Sequence, residues 1–179
     1  MILLLNGAFG IGKTTVARAL IARAPGAAIF DPETIGVLLL RAARLAGYAV
    51  DDFQDIRAWR RLTLFGLRVA RLRAATVVVP MAFSNASYLS ELREGIERFE
   101  PQRFHSCLVA PVEVVHARLA ARGADPGRHA WQYRRAAECS AVHGSAGFAT
   151  HVDAANRTSE ELADYLLSRV SAATGVPAA

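Results

Sequence analysis

Gly7-Ala8-Phe9-Gly10-Ile11-Gly12-Lys13-Thr14 decides the reading of this chain. Of its 21 lysine and arginine residues, Lys13 is the only lysine. Arginine is used everywhere else, so position 13 demands a property that arginine lacks. A compact ammonium on a flexible stem curls into a ring of phosphate oxygens, whereas the wider planar guanidinium fits it poorly. The pattern is G-x-x-x-x-G-K-T, a Walker A loop, and its context fits. Before it, Ile2-Leu3-Leu4-Leu5 is the continuous apolar run of a buried parallel strand. After it, Val16, Ala17, Leu20 and Ile21 recur at helical spacing over residues 14–23, and Ala24-Pro25-Gly26 ends the helix. The glycines let backbone N–H groups turn inward around an anion, and the helix N-terminus adds partial positive charge. The expected ATP contacts are Gly7, Ala8, Phe9, Gly10, Ile11, Gly12, Lys13, Thr14 and Thr15. Lys13 is expected to reach the β- and γ-phosphates, and the Thr14 hydroxyl to hold Mg²⁺. A glycine-rich turn with no ligand is the competing explanation. The completeness of the motif weighs against it.

Outward from this loop, short apolar runs alternate with helical patterns. Strands are expected at 27–30, 76–81, 103–109 and 148–152. Helices are expected at 34–47, 56–74, 86–97, 112–122, 130–142 and 159–172, with Ser159 capping the last. Such alternation implies a parallel sheet covered by helices on both faces, a three-layer α/β arrangement of the P-loop NTPase type. Ligands of such sheets bind at the carboxyl ends of the strands. The informative stretches are therefore 6–15, 31–33, 80–85, 110–122 and 153–157. No linker or internal repeat interrupts residues 1–179, so one domain is expected, with an Arg-rich lid at about 118–144. The tail from Gly175 to Ala179 is expected to fray.

Composition narrows the function classes. The chain has 179 residues, of which 53% are hydrophobic, enough for a folded core. The net charge of +5 suits an anionic ligand. The basic residues are spread out, and no nucleic-acid recognition motif is present, so no nucleic-acid partner is expected. No signal peptide or membrane-length apolar stretch is read, and a cytoplasmic protein is expected. Cys107 and Cys139 are expected to be buried thiols, and the five histidines lack ligand spacing.

The strand–Walker A–helix start, the second strand ending in Asp31 and the late arginine-rich segment resemble the nucleoside-monophosphate-kinase-like branch of P-loop proteins. More specifically, Asn6-Gly7-Ala8-Phe9-Gly10, Asp31-Pro32-Glu33, Asp52-Phe53-Gln54 with Trp59-Arg60, and Val79-Pro80-Met81 resemble the tunicamycin-resistance protein family over nearly the whole chain. The resemblance implies ATP binding and resistance to a nucleoside antibiotic that mimics a UDP-sugar intermediate. It leaves open whether the antibiotic is phosphorylated or only bound. In place of the Asp that many P-loop enzymes set after the third strand to help hold Mg²⁺, this chain has Pro80. The metal is then left to Thr14, phosphates, water and Asp31.

Candidate chemistry follows. Asp31 sits where small-molecule kinases of this branch keep a carboxylate near the acceptor hydroxyl, and Asp31-Pro32 is equally a good helix start. Arg118 and Arg122, four apart on one helix face, resemble the arginine pair that opens a kinase lid, with Arg128, Arg134 and Arg135 continuing it. Their guanidinium groups would stabilise charge on a transferred phosphoryl group. Phe53, Trp59, Met81 and Phe83 are expected to line an apolar acceptor pocket, with an aromatic ring stacking on uracil and Asp31, Asp52 and Arg60 as polar companions. Three functions compete: a kinase phosphorylating a tunicamycin-like nucleoside antibiotic, ATP-dependent sequestration of that antibiotic, and a kinase of a cellular nucleoside or sugar.

Overall fold

The computed structural model describes residues 1–148 and 150–174. In chain order the elements are β1 (Ile2–Gly7), α1 (Lys13–Arg23), β2 (Ala27–Ile29), α2 (Pro32–Leu45), α3 (Arg57–Arg73), β3 (Thr76–Met81) and α4 (Ala86–Glu97). Then come β4 (Arg103–Val109), α5 (Val112–Ala121), α6 (Ala130–His143), β5 (Thr150–Asp153) and α7 (Ser159–Thr174). One-turn 3-10 helices lie at Phe53–Asp55 and Ala146–Phe148. The strands form one sheet in the order β2-β3-β1-β4-β5, and every pairing is parallel.

β1 is central, and all six of its residues are buried. Leu3 and Leu5 enter one core with Val16 and Leu20 of α1 and Leu162 and Leu166 of α7. Ile2 and Leu4 enter the other with Trp59 and Leu67 of α3 and Leu89 and Ile96 of α4. A strand covered on both faces needs an unbroken apolar run, which explains the opening residues. Each such leucine contributes about 1.5–3 kcal/mol by burial.

Because all strands are parallel, their carboxyl ends share one edge. The loop after β1 rises between the ends of β3 and β4, its neighbours in the sheet. The ends of β2 and β3 lie on one side of that loop, and those of β4 and β5 on the other.

The structure departs from the expected boundaries where side chains redefine them. α2 begins at Pro32, because Asp31 Oδ1 accepts from Glu33 N at 2.9 Å and Pro32 fills the first helical position. α7 is capped by Thr158 rather than Ser159. Thr158 Oγ1 accepts from Glu161 N at 3.2 Å, and Glu161 Oε2 accepts from Thr158 N at 2.7 Å, a reciprocal capping box. Phe148 is not in β5. It closes a 3-10 turn with its ring 5.0 Å from that of His143. The tail from Gly175 to Ala179 lies outside the described residues. Among the described residues, no helix is long and apolar enough to cross a membrane.

Candidate active site

The loop after β1 forms a phosphate-sized cradle. Gly10 and Gly12 have φ of 86° and 109°, in the left-handed region that favours glycine. A Cβ on Gly10 would stand 2.6 Å from Leu119, so a side chain is excluded there on two grounds. Gly12 stands at the N-cap of α1, and no side chain caps that helix. Its first-turn N–H groups are therefore available to an anion. Lys13 is buried, and its Nζ donates to Ala8 O at 2.9 Å, folding the side chain back over the loop. Burial lowers the Lys13 pKa, and the negative charge of Glu33 works against that shift. Thr14 and Thr15 are exposed. A cavity of about 200 Å³ is bounded here by Gly12, Lys13, Thr14, Asp31, Glu33 and Arg122. Uncapped N–H groups, an ammonium and an accessible hydroxyl fit a nucleotide phosphate with its Mg²⁺.

A second cavity, of about 580 Å³, adjoins the first, and Phe9 and Glu33 line both. Trp59, Met81 and Phe83 form its floor, each only 1% exposed. Phe53 forms a wall, its ring 4.9 Å from that of Trp59. The Trp59 indole packs between Phe53 and Phe83, and Nε1 donates to Pro32 O at 2.9 Å. Trp131 is 52% exposed on the cavity rim, with its edge against Phe9 at 5.5 Å.

The charged residues divide by what they touch. Asp31 lines the smaller cavity with one carboxylate oxygen engaged as the α2 cap. Burial raises the Glu33 pKa, while the Lys13 charge lowers it. Arg122 borders the phosphate cavity. Arg118 is used differently from the expected phosphate contact. Its guanidinium donates to Ile11 O at 2.9 Å, Ala154 O at 2.6 Å and Ala155 O at 3.2 Å. It pins the loop after β1 to the segment after β5. Arg60 lies outside both cavities. It pairs with Glu91 at 2.7 Å, donates to Gln54 O at 2.7 Å and covers the Tyr88 ring. Arg135 reaches Asp52 at 3.0 Å and Ser84 at 3.3 Å, bridging α6 to the connector between α2 and α3. Arg134 lines the larger cavity, and Arg128 is exposed.

Four contributors escaped the sequence reading. Glu33 was present in the Asp31-Pro32-Glu33 stretch, but only the fold shows that it faces both cavities. Asn6 is buried at the end of β1, where it accepts from Phe83 N at 2.9 Å and donates to Phe83 O at 3.3 Å. His143 Nε2 donates to the same oxygen at 2.6 Å. Gln54, in the larger cavity's wall, donates to Ala82 O at 3.1 Å. A buried amide beside an otherwise apolar strand was the available signal for Asn6.

Residues 2–138 match the family model described as AAA domain. The chain belongs to that family. No curated protein matches it. Among solved structures, it is similar to the tunicamycin resistance protein of Deinococcus radiodurans, at 27% identity and TM-score 0.72 over 99% of this chain and 98% of that one. The family resemblance carried by Asn6–Gly10, Asp31–Glu33, Asp52–Gln54 and Val79–Met81 thus extends over the full fold. A gluconokinase from Sinorhizobium meliloti 1021 superposes with TM-score 0.70 at 19% identity, covering 97% and 93% of the two chains. A shikimate kinase from Acinetobacter baumannii in complex with shikimate superposes with TM-score 0.60 at 18% identity, covering 97% and 94%. These two likenesses show that the AAA domain chain has a kinase-like P-loop fold.

Proposed function

We propose that the protein is an ATP- and Mg²⁺-dependent phosphotransferase acting on an alcohol group of a tunicamycin-like nucleoside antibiotic. The observation that carries this reading is the junction of the two cavities at Glu33 and Phe9. A cradle built for phosphate opens onto a larger, aromatic-floored chamber with a carboxylate at the seam. When bound, the nucleotide supplies the phosphoryl group and Mg²⁺ offsets its charge. The chain's own residues do the rest. Loop N–H groups and Lys13 would hold the phosphates, and the exposed Thr14 hydroxyl would be the side chain to hold Mg²⁺. Glu33 takes the proton of the acceptor hydroxyl. Burial raises its pKa and the Lys13 charge lowers it, so the carboxylate is a stronger base than a solvated one. Asp31 positions Glu33 by capping α2. Arg122 stabilises charge at the phosphate end, and Arg118 holds the loop in shape. Residues 118–144 act as the lid, latched over the acceptor chamber by Arg135.

The tunicamycin-like acceptor is supported by the similarity to the Deinococcus protein and by the chamber's apolar floor. One observation favours sequestration without chemistry: buried Pro80 occupies the wall where a metal-binding carboxylate would help turnover. Incubation with γ-labelled ATP, Mg²⁺ and tunicamycin, followed by mass spectrometry, separates the two. A mass gain of one phosphate on the antibiotic supports transfer. Tight binding with no mass gain selects sequestration.

A further inference from the structure

Among the described residues, every large apolar side chain that stands exposed, apart from Trp131, lies on α2, on α3 or at Tyr48 just after α2. On α3, Arg61, Phe65, Arg68 and Leu72 follow at steps of four, three and four, which puts them on one helix face. The opposite face, with Trp59, Thr63 and Leu67, is buried. On α2, Leu38, Arg41 and Leu45 repeat the arrangement at steps of three and four. The two helices pack against each other, and a Cβ on Gly66 of α3 would lie 3.8 Å from the Ile35 side chain of α2. Their outer faces therefore share one side of the molecule. Leu38, Phe65, Leu72 and Leu45 are 62%, 66%, 83% and 90% exposed there. A helix that meets only water carries polar residues on its outer face, and a contiguous apolar patch marks an interaction site.

Charge identifies what can cover this face. Arg41, Arg61 and Arg68 are exposed and have no ion pair among the described residues, and Arg57 and Arg73 add exposed cations at the ends of α3. The nearby acids are engaged elsewhere. α3 has none, and the carboxylate of α2, Glu33, faces the two cavities. On the α4 flank of α3, Glu91 pairs with Arg60 and Glu100 with Arg71. In the connector, Asp51 lines the acceptor chamber, Asp52 pairs with Arg135, and Asp55 accepts from the Tyr88 hydroxyl. A second copy of the chain would set these arginines against one another. A nucleic acid would leave the leucines and Phe65 uncovered. A bilayer containing acidic lipids satisfies both sets, with phosphates for the guanidinium groups and an acyl boundary for the apolar side chains.

We infer that the outer face of α2 and α3 docks on an anionic membrane surface, with α3 lying along the interface for about 25 Å. The test is co-sedimentation of the full chain with vesicles, without nucleotide or acceptor. Wild type should bind phosphatidylcholine vesicles containing about one-third phosphatidylglycerol roughly tenfold or more tighter than pure phosphatidylcholine, and salt should weaken that binding. Arg61→Glu with Arg68→Glu should remove the preference. Phe65→Ser with Leu72→Ser should weaken binding by about tenfold, because those side chains enter the acyl boundary. Arg18→Glu with Arg169→Glu changes net charge by the same amount at exposed positions of α1 and α7, which cover the other face of the sheet. That variant should stay within about twofold of wild type. No preference of wild type for acidic vesicles overturns the inference, and self-association of the chain in that case assigns the face to a second copy. Equal loss in the Arg18 and Arg169 variant overturns it, since net charge alone is then the cause. Undiminished binding in the Phe65 and Leu72 variant also overturns it, since the apolar patch then meets no lipid. Should one of the two face variants not fold, the other decides.

Discussion

Lys13 and Glu33 line the same cavity, where each charge opposes the shift that burial imposes on the other. Lys13 Nζ is folded over the loop onto Ala8 O, so removing it should abolish nucleotide binding while leaving the core untouched. Lys13→Ala is expected to lose ATP affinity with little change in melting temperature, and Lys13→Arg to be impaired as well because its fork is too wide. Wild-type affinity in either variant, measured by calorimetry, would contradict the phosphate role. The two carboxylates two residues apart separate by the same logic. Glu33→Gln removes a base and should lower turnover by about two to four orders of magnitude. Asp31→Asn keeps a comparable cap and should stay near wild type in melting temperature. A larger loss of turnover in Asp31→Asn than in Glu33→Gln would return the base to Asp31. Lys13 was legible because the motif names it. Glu33 was not: the sequence offered Asp31 as cap or as base, the structure shows the cap, and only the fold shows the next carboxylate facing both cavities. Arg60 and Arg118 were misplaced for a related reason. A long cation on a helix face does not reveal which carbonyl or carboxylate it will find.

At the scale of elements, the acceptor chamber depends on how closely the segment at Phe53 approaches α2. Gly36 lies inside α2, where glycine costs roughly 0.5–1 kcal/mol relative to alanine in helix propensity. It is there because a Cβ would stand 2.5 Å from the Phe53 ring. Gly36→Ala should therefore destabilise despite the better propensity, by about 1–3 kcal/mol from overpacking, and should weaken acceptor binding more than ATP binding. A denaturation midpoint at or above wild type would show that Phe53 moves freely. The elements themselves were readable. β3, α4 and β4 lie where the apolar periods put them, because each is bounded by proline, asparagine or acidic turn residues. The start of α7 was not, because Thr158 and Ser159 are equally good caps in sequence and only the reciprocal bond to Glu161 chooses between them. β5 was shifted for lack of signal. Only Val152 is buried along it, so its alternation is faint.

The whole molecule carries an acid liability in two histidines, His143, which is buried, and His105, which is half-buried with both ring nitrogens shielded. His105 in β4 and His143 in α6 are both held down to about 4, chiefly by burial. Their folded values lie below the unfolded value near 6.5. As pH falls from about 6.5 towards about 4, the unfolded chain takes up protons that the folded chain refuses, and stability drops. Each contributes at most about 3 kcal/mol to that loss. Urea midpoints should fall between about pH 6.5 and 5, where solvated carboxylates scarcely titrate, and a flat profile there, measured in Glu33→Gln so that its raised carboxyl plays no part, would contradict the shielded neutral rings. The parallel sheet and the position of the cradle at its carboxyl edge were legible from strand–helix alternation. The strand order was not, since periodicity carries no pairing information. The junction of cavities, on which the functional account rests, exists only in three dimensions. Its central claim is phosphoryl transfer across that junction, and the most direct measurement is the mass of tunicamycin after incubation with the wild-type chain, ATP and Mg²⁺. The account predicts an adduct of one phosphate, formed at a rate that collapses in Glu33→Gln. An unchanged antibiotic mass at saturating nucleotide, with the antibiotic demonstrably bound, would contradict it.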